Sequence, residues 1–166
     1  MSGTSGTISS ETDRIERTVH IGAPPEKVWA ALTRADLIGG WFGNSATIDL
    51  RIGGRLTVTW DLPDPAPEDD SCYGTFIGIV TELEQPLVFG FRWAQQRDTE
   101  PAPGTATDVR FTLEPVAGGT DLTVVETGFD ELDVPDRIAA RQGNVEGWTF
   151  ELDELVEFLA PGTSGS

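Results

Sequence analysis

The stretch Asp121-Leu122-Thr123-Val124-Val125-Glu126-Thr127-Gly128-Phe129, with Asp133-Val134-Pro135-Asp136 a few residues on, decides the fold. In its first part Leu122, Val124 and Glu126 share one face and Thr123 takes the other, the two-residue period of a strand with one buried side. Beyond the link the period changes. Ile138, Val145, Trp148, Leu152, Leu155 and Leu159 recur at three- and four-residue steps, which predicts a long amphipathic helix with its cap near Asp133 or Val134. Gly143 and Gly147 lie within it, each costing about 1 kcal/mol relative to alanine, so they are expected to serve close packing or a bend.

Upstream, further short runs alternate in the same way and are separated by turn residues, as an antiparallel meander requires. They are 46–50, 56–61, 73–82, 87–93 and 107–115. Leu56, Val58 and Trp60, and then Val109, Phe111 and Leu113, fall on inward faces, while threonines and Arg110 fall outside. A first strand starts at Arg14, with Ile15, Val19 and Ile21 of one parity. Pro24-Pro25-Glu26 then opens a helix, because proline is well placed at a first helical position. A second short helix is expected from Arg34 to about Ile38, ended by Gly39-Gly40. Chain direction puts the loops 62–72 and 94–106 at one end of the sheet, together with the 128–133 link. Long loops crowded at one end commonly frame a binding site.

The chain has 166 residues, 38% hydrophobic and 23% charged, with 11 basic against 28 acidic residues and a formal charge of −17. It is read as one domain over residues 14–160, between disordered polar tails at 1–13 and 161–166. Folding a chain of this size buries about two-thirds of its surface, enough for a sizeable core or a core with a cavity. Such a charge, with Lys27 the only lysine, repels nucleic acid and anionic lipid, so neither is expected as a partner. No run is long enough to span a membrane and no secretory signal is visible near the start, so a cytoplasmic location is expected. With Cys72 the only cysteine and His20 the only histidine, no disulfide framework, metal site or cofactor is predicted. The acidic loop around Asp64 and Asp70 lacks the spacing of a calcium loop, and acids near Cys72 argue against a reactive thiol.

The order strand, two short helices, six strands, long helix resembles the helix-grip fold of the START-like (SRPBCC) superfamily. Ala23-Pro24-Pro25-Glu26-Lys27-Val28-Trp29, Leu50-Arg51-Ile52-Gly53-Gly54-Arg55, Gly119-Thr120-Asp121-Leu122-Thr123, Glu126-Thr127-Gly128-Phe129 and Gly147-Trp148 make the chain similar to one branch of it. That branch takes its name from the C-terminal domain of the heat-shock-protein ATPase activator. The resemblance implies an α+β fold in which a curved seven-stranded antiparallel sheet wraps around a long C-terminal helix, with two short helices between strands 1 and 2. It also implies a groove for apolar small molecules. Members of the superfamily include ligand carriers, polyketide cyclases, co-chaperone domains and self-sacrifice resistance proteins of enediyne producers, so the fold does not fix the activity.

Trp41, Phe42, Trp60, Phe89, Phe91, Trp93, Phe111 and Trp148 all fall on inward faces, and Leu152 of the helix joins them. Aromatic walls suit planar apolar ligands, so these residues are the expected lining of a site for an aromatic or polyketide-like molecule. Glu126 is the catalytic candidate, with a mouth residue, hydrated or paired with an arginine, as the plainer reading, since no second inward acid or histidine is apparent. Arg92, Arg110 and His20 have outward parity and are expected on the surface. A non-enzymatic binder acting as a monomer or weak dimer is the leading expectation. A cyclase or aromatase and a co-chaperone-like interaction domain are the alternatives.

Overall fold

The computed structural model describes residues 14–71 and 73–160. The two tails and the Cys72 thiol therefore lie outside the described residues.

The chain runs β1 (Arg14–Ile21), α1 (Pro25–Thr33), α2 (Ala35–Ile38), β2 (Ser45–Ile48), β3 (Arg55–Trp60), β4 (Gly74–Glu84), β5 (Val88–Ala94), β6 (Ala106–Val116), β7 (Gly119–Thr127), a 3-10 turn (Phe129–Glu131) and α3 (Arg137–Phe158). All seven strands form one antiparallel sheet in the order β1-β7-β6-β5-β4-β3-β2. This is the α+β helix-grip architecture: a curved sheet, two short helices after β1, and a C-terminal helix on the inner face.

The alternation read from the sequence is the alternation of burial. Leu56 and Val58 on β3, Val109, Phe111 and Leu113 on β6, and Leu122 and Val124 on β7 are buried. The outer face carries threonine pairs, Thr18 with Thr123 and Thr47 with Thr57. It also carries the ion pairs Arg92–Asp108 and Arg110–Glu82 and the His20–Asp121 hydrogen bond, so the outward parity of these three side chains is seen directly.

The turns explain two of the glycine motifs. A Cβ on Gly54 would stand 1.9 Å from the Asp49 carbonyl oxygen, so no larger residue fits where the β2–β3 turn folds back. A Cβ on Gly119, at φ +153°, would stand 2.0 Å from the Ile21 carbonyl oxygen. Next to it, the Thr120 hydroxyl donates to the Ala23 carbonyl at 2.7 Å. The β6–β7 turn thereby grips the chain just as it leaves β1 for α1.

The last helix departs from expectation in three ways. Its cap is Asp136, whose side chain accepts from the Ala139 N–H. Asp133 lies three residues ahead of that cap, in the link, where its N–H donates to the Gly104 carbonyl. Ile138 belongs to no buried stripe and is 73% exposed. No residue from 137 to 147 is fully buried, and the inward stripe begins only at Trp148, with Glu151, Leu152 and Leu155. Finally, close packing is not why Gly143 and Gly147 are glycine: a Cβ at either would meet nothing within 4 Å. The helix runs unbroken through both.

Candidate ligand-binding site

The inner face of the sheet and α3 meet across a continuous set of rings. Phe42 is at its centre. It stacks on Trp41 (centroids 5.0 Å) and on Trp148 of α3 (5.4 Å, 9° between planes), and meets Trp60 edge-on at 5.0 Å and Trp93 at 5.7 Å. Phe111 packs edge-on against Trp148 at 5.7 Å, and Phe91 and Phe89 continue the set along β5. Leu152 is buried in the same core. The structure therefore brings all nine sequence-selected residues together, and adds Phe76, edge-on to Trp60, and Trp29, edge-on to Phe89.

These rings fill the space they surround. A cavity of about 20 Å³ is left between Phe42, Trp41, Phe91 and Phe111 on one side and Leu32, Ile38 and Ile48 on the other. That is about the size of one water, in apolar surroundings that would keep it dry.

Polar anchoring comes from the indole nitrogens. Trp41 Nε1 donates to the Ala31 carbonyl at 2.8 Å, locking the segment after α2 onto α1. Trp93 Nε1 donates to Glu126 Oε2 at 2.9 Å and Trp148 Nε1 to Glu126 Oε1 at 2.8 Å. The Thr107 hydroxyl gives a third bond to Oε2, and the Asn144 amide, at 3.0 Å, a second to Oε1. Glu126 is fully buried rather than at the mouth, and among the described residues no arginine pairs with it, contrary to the plainer reading. Its inward parity on β7 places it beneath α3, where its side-chain partners are all donors.

A second inward acid is also present. Glu151 is 7% exposed and accepts from Trp60 Nε1 at 2.8 Å. Burial pushes its carboxyl up to about 7, against the opposing pull of the Trp60 and Gly43 N–H groups, and nearby Glu154 adds to the rise. The signal was present in the sequence: Glu151 follows Trp148 by three, on the same helical face.

The loop-rich end converges as chain direction predicts. Arg97 donates to the Asp70 and Tyr73 carbonyls and pairs with Asp70 at 3.2 Å, tying loop 95–105 to loop 61–73. At the same end Asn144 of α3 also donates to Gln95 Oε1 at 2.9 Å. Gln95 and Asn144 are only half-buried, so Glu126 lies one side chain below the surface there.

Residues 22–160 match the family described as Activator of Hsp90 ATPase homolog 1-like protein. Among solved structures, protein MLL2253 from Mesorhizobium loti aligns with TM-score 0.69 at 26% identity, over 88% of this chain and 96% of that one. The Aha1 dimer from Colwellia psychrerythraea gives 0.68 at 20% identity, over 90% and 98%. DynU16, a putative protein in the dynemicin biosynthetic locus, gives 0.67 at 22% identity, over 90% of this chain and 48% of that one. The last two likenesses carry the fold alone. No curated protein matches the chain. Among the described residues no helix is long and apolar enough to cross a membrane.

Proposed function

The chain belongs to the Activator of Hsp90 ATPase homolog 1-like family, and from that premise we propose that it binds an apolar, aromatic or polyketide-like small molecule between the sheet and α3, without transforming it. The observation that carries this reading is the ring set centred on Phe42, spanning sheet and helix. It lies beside a half-helix, 137–147, that contributes no fully buried residue. In the filled state there is room for about one water. Binding therefore proceeds by outward movement of the first half of α3, exchanging ring–ring contacts for ring–ligand contacts of similar kind. A charge of −17 opposes tight self-association, which favours a monomer or weak dimer. A narrower form, drawn from the family resemblance, is sequestration of an enediyne antibiotic at the cost of cleavage of the chain itself.

Tryptophan fluorescence during titration with polycyclic aromatic and polyketide compounds tests the reading, since Trp41, Trp60, Trp93 and Trp148 stand in or against the ring set. Saturable quenching is expected, lost in a folded Trp148→Ala variant. A flat response across the panel would sink the proposal and favour a protein-interaction role through the surface.

A further inference from the structure

Glu126 and Glu151 are two carboxylates set into the aromatic core with no cation beside them. Among the described residues neither forms an ion pair. Every side-chain partner of either is a neutral donor: indole N–H, amide N–H or threonine O–H. Such a shell holds the Glu126 carboxyl by neutral donors alone, so an ammonium entering beside it meets no competing cation among the described residues.

The rings act in the same sense. An aromatic ring is positive at its edge and negative on its face. Trp93 and Trp148 turn their N–H edges to Glu126, so their faces are left for the other rings and for whatever enters among them. Faces of this kind attract cations.

The geometry points to a ligand class: an aromatic molecule carrying a protonated amine, its ring among Phe42, Trp93 and Trp148 and its ammonium at Glu126 Oε1. This rests on the binding role proposed above and specifies the chemistry of the ligand. The seat follows from the hydrogen bonds. Oε1 now takes one donor from Trp148, on the buried stripe, and one from Asn144, on the half-helix that has no fully buried residue. An ammonium replacing the Asn144 amide keeps the number of donors on Oε1 unchanged. It also brings in the cation that the described pocket lacks, and releases the Asn144 side chain from Gln95 and Glu126 at once. The entrance is the loop-rich end, where Asn144 and Gln95 are half-buried.

The test is a matched pair of probes titrated into the full chain at about 0.15 M salt, where long-range attraction is screened. The probes are anthracen-9-ylmethylamine, in its protonated form, and anthracen-9-ylmethanol. The ammonium is expected to bind at least about tenfold tighter than the alcohol. In Glu126→Gln the two should agree within about twofold. Equal affinities in the unaltered chain overturn the inference and leave the binding role standing. Binding by neither compound, nor by the wider aromatic panel, removes both. A preference that survives Glu126→Gln assigns it to the overall charge and overturns the proposed seat. If Glu126→Gln does not fold, Asn144→Ala at its half-buried position decides. Freeing Oε1 should raise the preference for the ammonium about threefold, and a preference no higher than that of the unaltered chain overturns the seat.

Discussion

Glu151 carries a pH dependence that can be isolated. Its carboxyl is held up to about 7 in the fold, chiefly by burial, against an ordinary value near 4.5. Between those limits the folded chain binds more protons than the unfolded one, so this residue's contribution to stability is present at low pH and is lost as pH rises through about 7. The expected loss is on the order of 2 kcal/mol, reduced from the full shift because the group retains some contact with solvent. Urea unfolding at about pH 5 and pH 8 should show this loss in the unaltered chain and not in Glu151→Gln. An equal pH response in the two proteins would mean that Glu151 is already ionised across the range. At this scale the sequence was a partial guide. Parity placed Glu126 inward correctly, but nothing in a strand pattern tells which helix residues lie above it. The four donors from β5, β6 and α3 that take this carboxyl out of water were therefore hidden, because they lie up to 33 residues from Glu126 in sequence.

Among the elements, α3 is the one whose two halves differ. From Trp148 onward it is fixed by an inward stripe. Before that it carries Gly143 and Gly147 in open surroundings, with Ile138 exposed beside them. Because a methyl group at either glycine meets nothing, Gly143→Ala with Gly147→Ala should stabilise the fold by about 1 kcal/mol per site from helix propensity alone. Stiffening the same half-helix should also slow entry of a polycyclic aromatic probe. Thermal unfolding and stopped-flow fluorescence check the pair, and a lower Tm would show that the glycines have a packing role after all. Element types and their order were legible in the sequence, since a two-residue or a 3.6-residue period survives without tertiary context. The cap was not. Asp133 and Asp136 are both competent cap residues, and local pattern does not tell where the link, tied to Gly104 through the Asp133 N–H, gives way to the helix.

For the molecule as a whole, the excess of 28 acids over 11 bases exceeds what its surface ion pairs neutralise. Self-repulsion opposes the compact state and is screened by salt. Sodium chloride from about 0.02 to 0.5 M is therefore expected to raise Tm, and a falling Tm would show that the individual pairs outweigh the repulsion. The sheet order has another consequence, for how the protein is made. β1 hydrogen-bonds to β7 within the sheet, joining Arg14 to Thr127 and Ile21 to Thr120. During vectorial synthesis β1 must wait for its partner until about a hundred more residues have followed. Loop closure of that length is costly and slow. The edge strand β1 thus stays open to a holding chaperone until β7 has been made, and the sheet closes only then.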